Sequence, residues 1–383
     1  MAAATEKHPR GLYVLFGTEM WERFSFYTVN GMLVLYVTNA VQGFGFTNAR
    51  AATLSSWYQG FIYFTPLLGG FLADRFLGFR RSIIIGGIFF MAGHALLAVP
   101  NNLLVFYLAL TCLVIGNGFF KPNVSSMVGN LYSEGSHLKD KAYLIFYMGI
   151  NIGAFLAPVV AEFMRTKFGF HPAFFMGAIG MLFSLILFMV NQKHVRHADR
   201  IRGKSDVKAV ATSEDLPPVL NEQAAAMQAV PEWKRIMALI VIFLIVIVFW
   251  MIFHQNSISL TFWANDHTDW NVTGILSNAI NPGWIILLSL PLAWFWGVLD
   301  RRNLEPSTPV KMMFGMMLTG LSFTMLFFAA KAGGFTAPAF RVVKTDAAAT
   351  WVSISAEARD RVGITSTPTK LDVYSARHMK SVP

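Results

Sequence analysis

Charged residues are scarce in this 383-residue sequence, and cysteine is almost absent. Asp, Glu, Lys and Arg together make up 14% of it, against about 25% in an average soluble domain. This shortage argues against a soluble globular protein. The single cysteine, Cys112, excludes an intramolecular disulfide framework and a metal site built from several cysteines. Apolar residues are abundant instead: they make up 55% of the sequence and include 35 Phe.

Long apolar stretches account for this composition. Each approaches the length of about 20 residues that crosses a bilayer as a helix. They lie at 11–39, 55–73, 82–100, 103–128, 142–163, 171–190, 236–263, 278–299 and 311–331. The sequence therefore predicts an all-α integral membrane protein with nine spans and the lipid bilayer as its surroundings.

The distribution of basic residues indicates orientation. The 31 Lys and Arg exceed the 21 Asp and Glu. If the N-terminus is cytoplasmic, the connections after spans 2, 4, 6 and 8 are cytoplasmic, and these hold most of the Lys and Arg. We therefore predict a multi-pass protein in the inner membrane of a bacterium, with a cytoplasmic N-terminus. Membrane topology then explains the excess of Lys and Arg, and we predict no nucleic-acid partner.

A long polar connection separates six spans from the other three. The predicted organisation has four parts: a six-helix N-terminal bundle at 1–190, a cytoplasmic linker at 191–234, a partial C-terminal bundle of helices 7–9 at 235–332, and a polar extracytoplasmic segment at 333–383. The end of span 2 (GFLADR) is echoed at the end of span 8 (GVLDRR). The echo suits two six-span halves related in parallel, as in major facilitator transporters.

The connection after span 2 is a candidate gating loop. Glycines and charged residues alternate there at the predicted inner surface, where a solvated basic loop is the alternative interpretation. The residues are Gly70, Asp74, Arg75, Gly78, Arg80 and Arg81.

Ionisable residues inside spans are costly and are usually functional. Span 1 contains Glu19, Glu22 and Arg23, whose spacing places them on one helical face. Two carboxylates cannot both be paired one to one with a single guanidinium, so the spare one is a candidate proton carrier. Lys121 in span 4 is the expected partner of the second carboxylate. The alternative is a structural ion-pair cluster that only orders helices 1 and 4.

Several polar and aromatic residues within spans are candidates for lining a pocket. Each has a structural alternative, such as packing in the core, facing lipid or bonding to a neighbouring helix. They are Tyr27, Tyr63, Asn151, Trp250, His254 and Asn281. Asn281-Pro282 also predicts an irregularity in span 8, and the glycines flanking Asn151 suit close helix packing.

These motifs together resemble the proton-dependent oligopeptide transporter family of the major facilitator superfamily, over about 11–331. The similar segments are the E-x-x-E-R-F motif at 19–24, the loop motif at 70–81, GNGFFKPNVSS at 116–126, FYMGINIG at 146–153, Phe249-Trp250 with Gln255, and Asn281-Pro282.

The resemblance implies a major facilitator fold of two six-helix bundles around a central cavity. It implies a secondary active transporter, not an enzyme, that carries di- or tripeptides with protons by alternating access, without a metal or other cofactor. Glu19, Glu22, Arg23 and Lys121 would couple protons, while Tyr27, Lys121, Asn151 and Asn281 would bind peptide. It also implies that the family's last three helices are missing from this sequence.

Two positions depart from the family's pattern. Asn30 stands where the family often has Arg, and His254 stands where its peptide-transporting members usually have Glu. Both departures concern the groups that would meet the ends of a peptide. They leave open a proton-coupled transporter of another small solute, such as a modified peptide, an anion or a metabolite. The missing helices leave open an inactive truncated remnant.

Overall fold

The computed structural model describes residues 7–133, 136, 138–199, 230–266, 272–332, 340–345 and 350–354. Within these residues the chain is mainly helical. The α-helices are α1 (Arg10–Thr38), α2 (Asn48–Leu72), α3 (Phe79–Leu97), α4 (Leu103–Asn130), α5 (Leu138–Phe168), α6 (Phe170–Val190), α7 (Glu232–Phe253), α8 (Ser259–Asp266), α9 (Gly274–Ser277), α10 (Ile280–Asp300) and α11 (Thr308–Ala332).

Six of the described helices are long and apolar enough to cross a membrane: α3, α4, α5, α6, α7 and α11. A seventh is added if Gly274–Ser289 and Pro291–Asp300, which together cover α9 and α10, are counted as one bent span. Helix α1, with 29 residues, matches the first predicted span in length, whereas α2, with 25 residues, begins seven residues before the predicted second span at 55–73. Both helices contain charged and polar residues among their apolar ones. The chain is an integral membrane protein.

The first six helices pack into a bundle in which α1 contacts α5 and α6, and α4 contacts α2 and α3. Glycine allows the tightest of these contacts. A Cβ at Gly153 would lie 2.2 Å from the Met20 carbonyl oxygen, and one at Gly69 would lie 2.0 Å from the Gly118 carbonyl oxygen. The predicted role of the glycine beside Asn151 in close packing is therefore confirmed.

The seventh span differs from its prediction as a continuous stretch at 236–263. Helix α7 ends at Phe253, a 3₁₀ turn covers His254–Ser257, and α8 begins at Ser259. The turn contains the polar residues His254, Gln255 and Asn256, at which the apolar pattern of the helix stops. The break holds His254 at the end of a helix instead of within one.

The predicted irregularity at Asn281-Pro282 is displaced by a few residues. Pro282 lies in the first turn of α10, where its missing N–H removes no intrahelical hydrogen bond. The interruption instead covers Asn278 and Ala279, between α9 and α10. Further along, the helix bends by 40° at the break between Ser289 and Pro291.

The chain divides by its contacts into two units, Met1–Asn303 and Leu304–Pro383. The second contains α11 and an antiparallel hairpin of β1 (Phe340–Thr345) and β2 (Thr350–Ile354). Phe340 pairs with Ile354, and a bulge lies between Val342 and Lys344. This hairpin was not predicted from the sequence, although its strands are rich in β-branched and aromatic residues.

The four predicted domains remain a prediction. The linker at 191–234 and the segment at 333–383 lie largely outside the described residues. The described start of the linker forms two short 3₁₀ turns, Gln192–His194 and Arg196–Ala198.

Candidate functional site

Three charged side chains of α1 are buried together. Glu19, Glu22 and Arg23 are exposed by only 1%, 0% and 4%. Arg23 donates from Nε to Glu22 Oε2 at 2.5 Å and from Nη2 to Glu22 Oε1 at 2.7 Å. Arg23 Nε also lies 3.2 Å from Glu19 Oε1. One guanidinium thus faces two carboxylates, with Glu22 as its bidentate partner and Glu19 held less tightly.

Glu19 is incompletely satisfied. Its second oxygen, Oε2, is buried and has no hydrogen-bond partner in the described structure. A buried carboxylate oxygen that lacks a donor is costly while the group is ionised, and binding a proton removes the charge. Glu19 is therefore the member of the cluster best placed to take up a proton.

Lys121 of α4 does not form the expected ion pair. No carboxylate of the described residues lies within 4.0 Å of its ammonium nitrogen. That nitrogen instead lies 5.0 Å from the centroid of the Tyr63 ring, a cation–π contact. The prediction that Lys121 pairs with the second carboxylate is wrong for this conformation, because Arg23 contacts both Glu22 and Glu19.

A cavity of about 240 Å³ opens beside this cluster. Side chains from α1, α2, α4, α5, α7, α10 and the turns flanking α8 and α9 line it. Every residue predicted to bind substrate lines this cavity. These residues are Tyr27, Asn30, Tyr63, Asn151, Trp250, His254 and Asn281. Glu19, Arg23 and Lys121 also line it, whereas Glu22 lies behind Arg23 and does not.

One wall of the cavity is aromatic. The Tyr63 ring meets the His254 ring edge-on at 5.1 Å, and His254 stacks on Trp250 at 5.7 Å between ring centroids. Lys121 contacts the same Tyr63 ring. We call Tyr63, Trp250 and His254 the aromatic wall. Since His254 lies in the turn after α7, the break in this span places its ring on the wall.

Amide side chains cover other parts of the cavity. Asn30 accepts a hydrogen bond from Gln59 Nε2 of α2, so its oxygen is engaged by a neutral partner. Asn151 donates to the Tyr147 carbonyl one turn earlier in α5, at 2.8 Å. This bond is within its own helix, so the side chain does not link α5 to a neighbouring helix through it.

Sequence reasoning missed several lining residues. The polar ones are Gln59, Tyr147, Ser257 and Asn278. All four lie within four residues of a predicted site residue, so proximity in sequence was a usable signal for them. Gln59 is four residues before Tyr63, and its pairing with Asn30 is what the sequence did not indicate.

The candidate gating loop contains a turn of π-helix, Ala73–Leu77, followed by Gly78. Gly78 has φ 77°, a conformation that favours glycine, and it is the N-cap residue of α3, which begins at Phe79. Asp74 and Arg75 lie within the π turn. Arg81 is exposed on the first turn of α3. Gly70, predicted as part of this loop, lies within α2 instead, where a Cβ would reach Pro122 of α4 at 3.7 Å.

Arg80 carries the described ion pair of this loop. Its backbone N–H donates to Asp199 Oδ1 at 3.2 Å, and its guanidinium lies 3.8 Å from Asp199 Oδ2. The guanidinium also donates to Gln192. The loop is therefore tied to the segment after α6, which the sequence analysis did not foresee.

The site thus combines two capacities. A buried cluster on α1 can change its charge by binding a proton at Glu19, and Glu19 and Arg23 also face the cavity. Polar and aromatic side chains surround the same cavity. They come from α1, α2, α4 and α5, and from α7, α10 and the turns beside α8 and α9. The charge of the α1 cluster therefore interacts electrostatically with any solute bound in the cavity.

The POT family profile matches residues 80–214 and 204–365. An uncharacterized transporter of Bacillus subtilis (strain 168) is 32% identical over 85% of this chain and 75% of its own length. A di-/tripeptide transporter of Lactococcus lactis subsp. cremoris is also 32% identical, over 83% and 75%.

Solved structures agree with this match. A POT family transporter in complex with 5-aminolevulinic acid superimposes with a TM-score of 0.73 at 27% identity, covering 87% of this chain and 79% of its own. A mutant peptide transporter in complex with alafosfalin gives 0.68 at 30%, covering 87% and 76%. These matches confirm the helical major facilitator fold expected from the sequence, and the chain belongs to the POT family of transporters.

Proposed function

We propose that the chain is a secondary active transporter that carries di- or tripeptides together with protons by alternating access. Protons are its coupling ions, and it uses no other cofactor. Similarity to a di-/tripeptide transporter over most of both chains supports the substrate class. The site supports the coupling.

One observation carries the proposal: Glu19 belongs to the buried charge cluster and to the cavity wall at once. Its unpartnered Oε2 provides a place for a proton. Protonation weakens the hold of Glu19 on Arg23, which then faces the cavity with only Glu22 attached. Solute binding and proton binding therefore change the same electrostatic environment.

The proposed setting is the inner membrane of a bacterium, with the N-terminus in the cytoplasm. Bacterial relatives such as the Lactococcus transporter support the source. The excess of Lys and Arg in the connections after predicted spans 2, 4, 6 and 8 supports the orientation.

The direct test uses the full chain purified and reconstituted into liposomes. With the interior alkaline, labelled Ala-Ala is expected to accumulate, and a protonophore is expected to abolish the accumulation. Protein-free liposomes provide the background. Absence of uptake for every di- and tripeptide tested, with correctly folded protein, would contradict the peptide assignment.

A second candidate is the proton-coupled transport of another small solute, such as a modified peptide, an anion or a metabolite. Two features of the cavity favour it. Asn30 is bonded to neutral Gln59, and His254 presents an imidazole on the aromatic wall. Uptake driven by a pH gradient for such a solute, without uptake of free peptides, would establish this function instead.

A further inference from the structure

We infer that the preferred solute of this cavity is an anion without an ammonium group, in particular an N-acylated di- or tripeptide, and that His254 determines this preference. The inference deepens the proposed function and rests on it. It follows from the number and position of the charges around the cavity.

Once Glu19 carries its proton, no described residue lining the cavity offers a carboxylate to an incoming ammonium group. Among the described lining residues the charged side chains are Glu19, Arg23 and Lys121. Glu19 is the one carboxylate of these three, and its Oε1 is held 3.2 Å from Arg23 Nε. The other carboxylate of the cluster, Glu22, is engaged bidentately by Arg23 and does not line the cavity.

The charges favour an anion when the site carries its proton. With Glu19 protonated, Arg23 and Glu22 neutralise one another, and the ammonium of Lys121 remains. This ammonium lies over the Tyr63 ring. A solute with one carboxylate and no other charge then balances the cavity. A zwitterion brings a second positive charge into a partly buried, already positive space, which costs free energy unless an anion pairs with it.

The aromatic wall, made of Tyr63, Trp250 and His254, supplies no anionic partner to an ammonium group. Lys121 and His254 both contact the Tyr63 ring, so any ammonium near His254 is also near a fixed positive charge. A neutral imidazole can accept one hydrogen bond from an ammonium group, but it supplies no negative charge. The amide of an N-acyl group carries no charge, so it needs no anionic partner beside this wall.

The test compares two solutes that differ only at the amino end, Ala-Ala and N-acetyl-Ala-Ala. Uptake of each, driven by an alkaline interior, is measured with the full chain in liposomes. Acetylation removes the ammonium charge, which would otherwise be desolvated beside Lys121 without an anionic partner, so we expect a preference for the acetylated peptide of about tenfold or more in apparent affinity. Equal uptake, or a preference for Ala-Ala, would overturn the inference while leaving the proposed function standing. Uptake of neither peptide would overturn both.

Substitution tests the role of His254. His254→Glu supplies the missing carboxylate and is expected to shift the ratio of affinities toward Ala-Ala by about tenfold. His197→Glu makes the same change at an exposed position outside the cavity and is expected to leave the ratio unchanged. An unchanged ratio in folded His254→Glu would refute the assignment. If that variant does not fold, His254→Gln replaces it: because Gln is also neutral, it should keep the wild-type preference, and a change toward Ala-Ala would count against the inference.

Discussion

At the scale of single residues, the α1 cluster shows why two carboxylates share one guanidinium. Arg23 binds Glu22 through two short contacts and reaches Glu19 through a longer one. Removing one carboxylate therefore does not leave the arginine unpaired, because the other carboxylate is already within reach. The cluster has a spare negative charge, and this charge is what a proton can neutralise.

Glu22→Gln tests this interpretation. Arg23 should then pair fully with Glu19, so the spare carboxylate is lost. We expect proton-driven uptake to be abolished, while exchange of labelled for unlabelled solute at equal pH remains measurable. Uptake and exchange in liposomes separate the two effects.

Glu162→Gln is the matched control for this variant. Glu162 also pairs with an arginine of its own helix, Arg165, at 2.7 Å, but it does not line the cavity. It should retain proton-driven uptake. If Glu22→Gln loses exchange as well, Glu22 supports binding or folding and not coupling alone.

At the scale of helices, the contact between α5 and α1 depends on glycine. The Met20 carbonyl lies where a Cβ at Gly153 would be, so backbone meets backbone there. Asn151 and Tyr147 of α5 line the cavity together with Glu19 and Arg23 of α1. A change in the spacing of these two helices would therefore alter the site.

Gly153→Ala should separate these helices. The added methyl cannot fit at 2.2 Å from a carbonyl oxygen, and overpacking of this kind costs about 1–3 kcal/mol. The melting temperature in detergent should fall, and uptake should fall with it. Thermal unfolding followed by size-exclusion chromatography measures the first effect.

Gly60→Ala in α2 is the control for this substitution. A Cβ there meets nothing within 4 Å. Alanine also favours a helix interior over glycine by about 0.5–1 kcal/mol, so the melting temperature should be unchanged or higher. A similar decrease in both variants would mean that loss of glycine, not the contact with Met20, causes the effect.

At the scale of the whole molecule, the two ends of the first bundle should face opposite sides of the membrane. Val41 follows α1 and is 85% exposed, and Lys193 follows α6 and is exposed as well. With a cytoplasmic N-terminus, an odd number of crossings places Val41 outside, and an even number places Lys193 inside.

Labelling of single cysteines tests this orientation. In a Cys112→Ser background, Val41→Cys should react with a membrane-impermeant maleimide on intact cells. Lys193→Cys should react only after the cells are opened. The reverse pattern would place the N-terminus outside and contradict the proposed orientation.

Much of the helical framework can be read from the sequence, because a segment in lipid must satisfy its own backbone hydrogen bonds and be apolar for about 20 residues. Such apolar segments can be recognised in the sequence without knowing which helices pack together. Local patterning also placed Glu19, Glu22 and Arg23 on one helical face. The break at His254 and the start of α10 at Ile280 were harder to predict from the sequence, since both depend on contacts with neighbouring helices.

The sequence by itself determined the class of protein, the helices and the residue types available for chemistry, because these follow from local composition and helical periodicity. Only the tertiary structure decided their partners. It places Lys121 against Tyr63 instead of a carboxylate, and it joins Arg80 to Asp199 across 119 positions. Such contacts depend on which helix faces meet, and each helix alone permits many faces to meet.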